Sequence, residues 1–313
     1  MKKISVVIPV YYEEKVAQEC YNRTKSVLEN LKKYDYEIIF VDDGSKDNTL
    51  SILETIAKKN KKVKIISLSR NFGHQAAVTA GLKYTTGDAV AIMDSDLQDP
   101  PEVIEEMITL WENGNDVIYA KRKLRKGETP FKLFTAKMFY KVLNGLSDVE
   151  IPKDTGDFRL ADRKVIDVIN SLPEHNKFLR GLFSWVGFKQ TPLEYERQER
   201  FAGKTKYPLK KMLKLASDGI LSFSTKPLKL LGVLGILSVT LSFVILIYAL
   251  ISYIFNLNHL TAGWTSLMVT ITFFSGMQFI SIWLLAEYIG KIYDESKNRP
   301  EYIINKTINI KEE

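Results

Sequence analysis

The chain has 313 residues, 45% of them hydrophobic, enough for one large core and a second module. Its single cysteine, Cys20, excludes an internal disulfide and any cysteine-cluster metal site. The net charge of +7 is concentrated beside two long apolar runs, which points the basic surface toward anionic lipid rather than nucleic acid.

Residues 4–9 read as a first strand, because Glu13 and Glu14 close the apolar run too early for a signal peptide. Helical spacing through Val16, Cys20, Val27 and Leu31 follows over 13–33, then a second strand over 36–41. The turn Asp42-Asp43-Gly44-Ser45 leads to a helix capped by Asp47 or Asn48 and running to about residue 59. A third strand over 63–68, a loop through Arg70 and His74, and a helix over 75–84 come next. Residues 89–93 form a fourth strand; Pro100 and Pro101 open another helix, and 116–120 form a fifth strand. Strands alternating with helices predict an α/β fold with a mainly parallel sheet flanked by helices.

Polar residues recur just past the strands, where open parallel sheets bind ligands: Tyr11 and Glu13, Asp42 and Asp43, Arg70 and His74, Asp94 and Asp96. Asp94 and Asp96 leave an apolar strand two residues apart, and on an extended chain such residues point to one side. Hard oxygen ligands in that spacing suit Mg²⁺ or Mn²⁺; the competing reading is a solvated acidic turn. The sequence has neither a Gly-x-Gly-x-x-Gly turn nor a P-loop, so a bound phosphate needs its charge offset in another way, which favours the metal. One of Asp42 and Asp43 is expected to cap a helix or close an Asx-turn, and His74 is either a loop hydrogen-bonding residue or a base.

Residues 230–255 and 264–286 carry no charge, and each exceeds the about 20 residues needed to cross a bilayer. A buried helical hairpin of a soluble protein is the alternative. Lysines before the first run, and Lys291, Lys297 and Arg299 after the second, place the α/β domain and both ends in the cytoplasm of a multi-pass plasma-membrane protein. Leu209, Met212, Leu213, Ala216 and Ile220 share one face of a helix that lies on the bilayer or packs on the α/β domain. The chain thus divides into an amino-terminal α/β domain (1–165), a juxtamembrane amphipathic region (166–228), two transmembrane helices (229–287) and a cytoplasmic tail (288–313).

Three segments, Ile8-Pro9-Val10-Tyr11-Tyr12-Glu13-Glu14, Val41-Asp42-Asp43-Gly44-Ser45 and Asp94-Ser95-Asp96-Leu97-Gln98-Asp99-Pro100-Pro101, together resemble a family 2 glycosyltransferase of GT-A fold. Asp154-Thr155-Gly156-Asp157-Phe158-Arg159-Leu160, Phe178-Leu179-Arg180-Gly181, the run from Arg200 to Tyr207 and Asp218-Gly219-Ile220 resemble the bactoprenol-phosphate glucosyltransferases, relatives of dolichol-phosphate mannose synthases. The resemblance implies that Pro9, Tyr11, Glu13 and Asp42, with Asp94 nearby, hold the nucleoside of a UDP-sugar. It implies Asp96, helped by Asp94 and Gln98, as metal ligands, and Asp157 as the catalytic base. Tyr12 departs from the asparagine usual in the family.

The reaction so implied is inverting transfer of a sugar, glucose first, from a UDP-sugar to undecaprenyl phosphate for cell-envelope glycosylation. UDP-GlcNAc or another sugar is the near alternative, and an inactive membrane-anchored nucleotide-sugar-binding subunit the distant one. The acceptor phosphate needs a cationic cradle, for which Arg122, Arg125, Arg159, Arg200 and Lys206 are the candidates. The acceptor is itself largely ionised at neutral pH, so Asp157 can equally orient it or stabilise charge on the sugar ring. A homodimer or homotetramer is the assembly the resemblance suggests.

Overall fold

The computed structural model describes residues 1–123, 152, 155–175, 177–196, 198, 224–255 and 263–310. Arg125, Arg200, Lys206 and the 209–220 helix lie outside the described residues. Alternation of strand and helix runs through β1 (Lys3–Val10), α1 (Ala17–Asn30), β2 (Asp35–Asp42), α2 (Thr49–Lys59), β3 (Val63–Leu68), α3 (His74–Lys83), β4 (Ala89–Ile92), α4 (Val103–Glu112) and β5 (Val117–Arg122). Then come β6 (Thr155–Asp162), α5 (Arg163–Ser171), α6 (Leu179–Trp185), β7 (Gln190–Tyr195), the long helices α7 (Lys226–Ile254) and α8 (Trp264–Ser296), and β8 (Ile304–Ile308).

The eight strands form one sheet in the order β7-β5-β6-β4-β1-β2-β3-β8. β1, β2, β3, β4, β5 and β7 run one way, and β6 and β8 run against their neighbours. β1 and β2 are buried along nearly their whole length because helices cover both faces. Alternate side chains then feed two cores. Ile4, Val6, Ile8, Ile38 and Phe40 meet Leu28, Leu53 and Met107 from α1, α2 and α4. Val7, Ile39 and Val41 meet Val78, Ile166 and Phe183 from α3, α5 and α6.

Two details depart from the sequence reading. α1 starts at Ala17 rather than 13, because Glu13 accepts from the backbone of Val16 and Ala17 in a preceding turn. At α2, Asn48 holds the cap position without a side-chain bond, and Asp47 instead accepts from Thr49 N at 3.1 Å.

The sheet also draws in segments assigned to other regions. α5, α6 and β7 carry the fold past residue 165. β8, within the stretch read as a tail, is a sheet strand: it pairs with β3, and Asn309 Nδ2 donates at 2.8 Å to the carbonyls of both Ala57 and Val63. Polar Asn305 and Lys306 interrupt its isoleucines, and such residues belong to an edge strand.

α7 and α8 touch where Ser238 Oγ meets Met277 Sδ at 3.3 Å, and elsewhere they expose large apolar side chains such as Ile236, Phe243, Phe279 and Trp283. Among the described residues one helical stretch, Thr270–Ser296, is long and apolar enough by length and composition to cross a membrane.

On β2, Glu37 is 1% exposed. Its carboxylate pairs with Lys3 at 2.9 Å and Lys64 at 2.7 Å, and accepts from Ser5 Oγ at 2.6 Å and Thr86 N at 2.7 Å. Burial alone would raise its pKa, but Lys64, Ser5, Thr86 and Lys3 together hold it at about 2. A depressed carboxyl stabilises the fold above its unfolded pKa, and that stability is lost as pH falls from about 5 toward 2. Glu37→Gln is expected to cost roughly 3 kcal/mol at pH 7. In thermal melts of the purified chain at pH 7 and pH 3 the variant should lose less stability on acidification than the wild type. Equal losses in the two proteins would contradict this.

Candidate active site

The site forms at the carboxyl edge of β1, β2, β3 and β4. Pro9 is buried in β1; Tyr11 and Glu13 follow it half-buried, and Glu13 N donates to Thr49 Oγ1 at 2.9 Å. Tyr12 has φ of 54°, a left-handed conformation that asparagine adopts more readily than an aromatic residue. The preference for asparagine at that position therefore has a backbone cause.

Both aspartates after β2 serve the local structure. Asp42 accepts from Ser45 N at 3.1 Å and Ser67 Oγ at 3.2 Å, and burial raises its pKa. Asp43 accepts from Phe72 N at 2.7 Å and Gly73 N at 3.0 Å, fastening the loop after β3. Gly44, at φ of 71°, lies where a Cβ would come within 2.5 Å of the Arg70 backbone, so the two loops can pass only at a glycine. Asp42 also lines a cleft of about 600 Å³ with Tyr11, Ser67, Arg70, Asn71 and Asn305.

After β4 the chain turns at once. Gln98 N donates to Asp96 Oδ1 at 3.1 Å, and Leu97 has φ of 58°. Asp94, Asp96 and Gln98 alternate as half-buried residues with the buried Ser95, Leu97 and Asp99. The three predicted ligands are thus the half-buried members of a turn rather than of the extended strand the spacing predicts.

β6 runs antiparallel to β4 with Ile92 opposite Arg159, which carries Asp157 to the edge where Asp94 emerges. His74, at the start of α3, lies between them. Its Nε2 is 3.2 Å from Asp157 Oδ2 and 3.7 Å from Asp94 Oδ1, both ion-pair contacts. Arg180 of α6 binds Asp157 from the other side through two bonds, Nε to Oδ1 at 2.7 Å and a terminal nitrogen to Oδ2 at 2.9 Å.

The charges follow from this row. Burial would raise Asp157, but Arg180 and His74 hold it well below the usual carboxylate range. Burial would lower His74, yet Asp157 and Asp94 raise it to about 9, so the ring is an imidazolium at neutral pH. Burial pushes Asp94 up, and Asp99, Asp157 and Asp96 add to it against the pull of His74, leaving it at about 6.

Among the described residues no three His, Cys, Asp or Glu side chains form a ready cage for a metal ion. An ion of the Mg²⁺ type would need only one or two carboxylates, such as Asp94 and Asp96, together with substrate phosphates. Asp99, Asp157 and Asp96 all raise the pKa of Asp94, a repulsion such an ion would relieve.

The arginines divide. Arg122 ends β5 beside Gly156, where Tyr195 accepts from its Nε at 3.4 Å while donating to Asp99. Arg159 is 4% exposed, donates to the carbonyls of Asp157 at 3.3 Å and Gly156 at 3.0 Å, and lies 4.4 Å from the Phe183 ring centroid. Its guanidinium, assigned from the sequence to the acceptor phosphate, holds the backbone under Asp157. Sequence reasoning left His74 undecided and gave Arg180 no role. The available signal for Arg180 was a lone cation inside the apolar run Phe178-Leu179-Arg180-Gly181-Leu182-Phe183.

The glycosyl transferase family 2 model matches residues 5–169. "Uncharacterized glycosyltransferase YkcC" of Bacillus subtilis (strain 168) is 53% identical over 98% of this chain and 94% of its own length. The bactoprenol glucosyl transferase of Shigella phage SfX is 44% identical over 96% of this chain and 98% of its own length. A prophage bactoprenol glucosyl transferase homolog of Escherichia coli (strain K12) is 43% identical over 97% and 99%.

Proposed function

The chain belongs to glycosyl transferase family 2, and from that premise we propose that it transfers glucose from UDP-glucose to the phosphate of undecaprenyl phosphate at the cytoplasmic face of a membrane. One observation carries the reading beyond sugar transfer in general. The likeness to a bactoprenol glucosyl transferase covers 96% of the chain, too much to stop short of α7 and α8. Both helices are then membrane spans, with Lys226 and Lys229 before the first and Lys291, Lys297 and Arg299 after the second on the cytoplasmic side.

Transfer forms a bond from an acceptor phosphate oxygen to the anomeric carbon and breaks the bond from that carbon to the β-phosphate oxygen of UDP. In one in-line step the configuration inverts, giving a β-linked product from an α-linked donor. A divalent ion held by Asp96, Asp94 and Gln98 would offset charge on the departing diphosphate. Arg122, Arg125, Arg200 and Lys206 are assigned to the acceptor phosphate, and Pro9, Tyr11, Glu13 and Asp42 to the nucleoside.

Asp157 is better suited to electrostatics than to proton removal. A carboxylate held so far below its usual range is a weak base, and a phosphate monoester with its second pKa near 6 needs little deprotonation. We assign Asp157 to the positive charge that develops on the sugar ring, with Arg180 and the imidazolium of His74 fixing its orientation. Membranes carrying the chain should convert labelled UDP-glucose into butanol-extractable lipid. Label entering lipid only from UDP-GlcNAc would overturn the choice of sugar, and no lipid product from any UDP-sugar would overturn the acceptor.

A further inference from the structure

β8 comes from beyond the long apolar helices, yet it completes the cleft beside Asp42. Its register against β3 slips once: Lys306 pairs with Ser67 and Ile304 with Leu68, so Asn305 is the extra residue of a β-bulge. A bulge re-aims the side chain it carries, and bulges gather beside binding sites. Asn305 lines the cleft with Tyr11, Asp42, Ser67 and Arg70, and its amide has no hydrogen-bond partner among the described residues.

The backbone around it is fastened on several sides. Ser69 N donates to the Ile303 carbonyl at 2.9 Å, Lys306 pairs with Glu54 of α2 at 2.7 Å, and Asn309 holds the far end through two carbonyls. An exposed amide on so fixed a strand is a preformed polar probe. Its oxygen accepts and its nitrogen donates, matching the ring edge of uracil, where an N–H stands between two carbonyls. The Tyr11 and Tyr12 rings, 4.5 Å apart and edge to face, border the same cleft and offer a surface for a flat base.

We propose that Asn305 is a specificity-determining residue that hydrogen-bonds the nucleobase of the donor, an inference that rests on the nucleotide-sugar reading above. The full-length chain in detergent with Mg²⁺ is titrated with UDP and with ribose 5-diphosphate, which lacks the base. Asn305→Ala should weaken UDP on the order of tenfold and leave ribose 5-diphosphate unchanged. Lys306→Ala, which releases the strand's ion pair without touching the amide, should bind both as the wild type does. Unchanged UDP affinity in Asn305→Ala overturns the inference while the donor reading stands. Parallel loss for both ligands, or an equal loss in Lys306→Ala, overturns it too, because seating of the strand would then be the cause. A wild-type chain that binds no UDP overturns the donor reading and this inference with it.

Discussion

Asp157→Asn is expected to lower turnover by about 10³-fold while donor affinity changes little. Asparagine keeps the shape and still accepts one bond from Arg180, so what is removed is charge. That charge is set by neighbours rather than by solvent, since Asp157 is 7% exposed and lies between Arg180 and His74. The substitution leaves two cations facing a neutral amide, so some stability is lost as well. Circular dichroism and membrane fractionation establish that the variant folds and inserts before its rate is read. Either role needs the carboxylate ionised, and the pH profile reads that charge. A carboxylate well below its usual range is ionised across the working range, so titration of Asp157 gives no limb in the wild-type profile above pH 5. His74 provides a second readout: without the Asp157 charge, its pKa should fall from about 9 toward the ordinary value. Near-normal turnover in Asp157→Asn would exclude both roles.

The sheet was legible because its central strands obey a simple rule. Runs such as Ile38-Ile39-Phe40-Val41 show no alternation, since both faces are covered, and each stops at a polar turn. The acidic ends after β2 and β4 were legible for the same reason. Asp157 could be reached only by resemblance, because nothing in its neighbourhood says that β6 runs backwards and returns it to the edge beside Asp94. Arg159 shows the limit of reasoning by residue type. A guanidinium suits a phosphate and a pair of backbone carbonyls equally, and residue type alone does not reveal the two carbonyls that Arg159 meets beside Phe183. β8 escaped notice because its five residues are too short for a periodic signal and it is stabilised by pairing with distant β3.

Asp96→Ala is expected to reduce transfer by at least about 10³-fold and to abolish the effect of Mg²⁺ or Mn²⁺ on UDP binding. The weight falls on Asp96 rather than Asp94 for a geometric reason. Asp94 Oδ1 is 3.7 Å from the imidazolium of His74 and is partly neutralised by it, whereas Asp96 belongs to the turn at Leu97 and Gln98. The first carboxylate is thus shared with the row of charges around Asp157, which leaves the second as the ligand we assign to the ion. Asp94→Asn should weaken the metal effect without abolishing it. Removing divalent ions with a chelator should reproduce the Asp96→Ala phenotype in the wild type, and adding Mn²⁺ back should rescue the wild type alone. Titrating UDP with and without Mn²⁺ reads the metal term directly, apart from turnover. If Asp96→Ala still gains UDP affinity from Mn²⁺ as the wild type does, the ion is held elsewhere and the acidic turn after β4 is only a solvated loop.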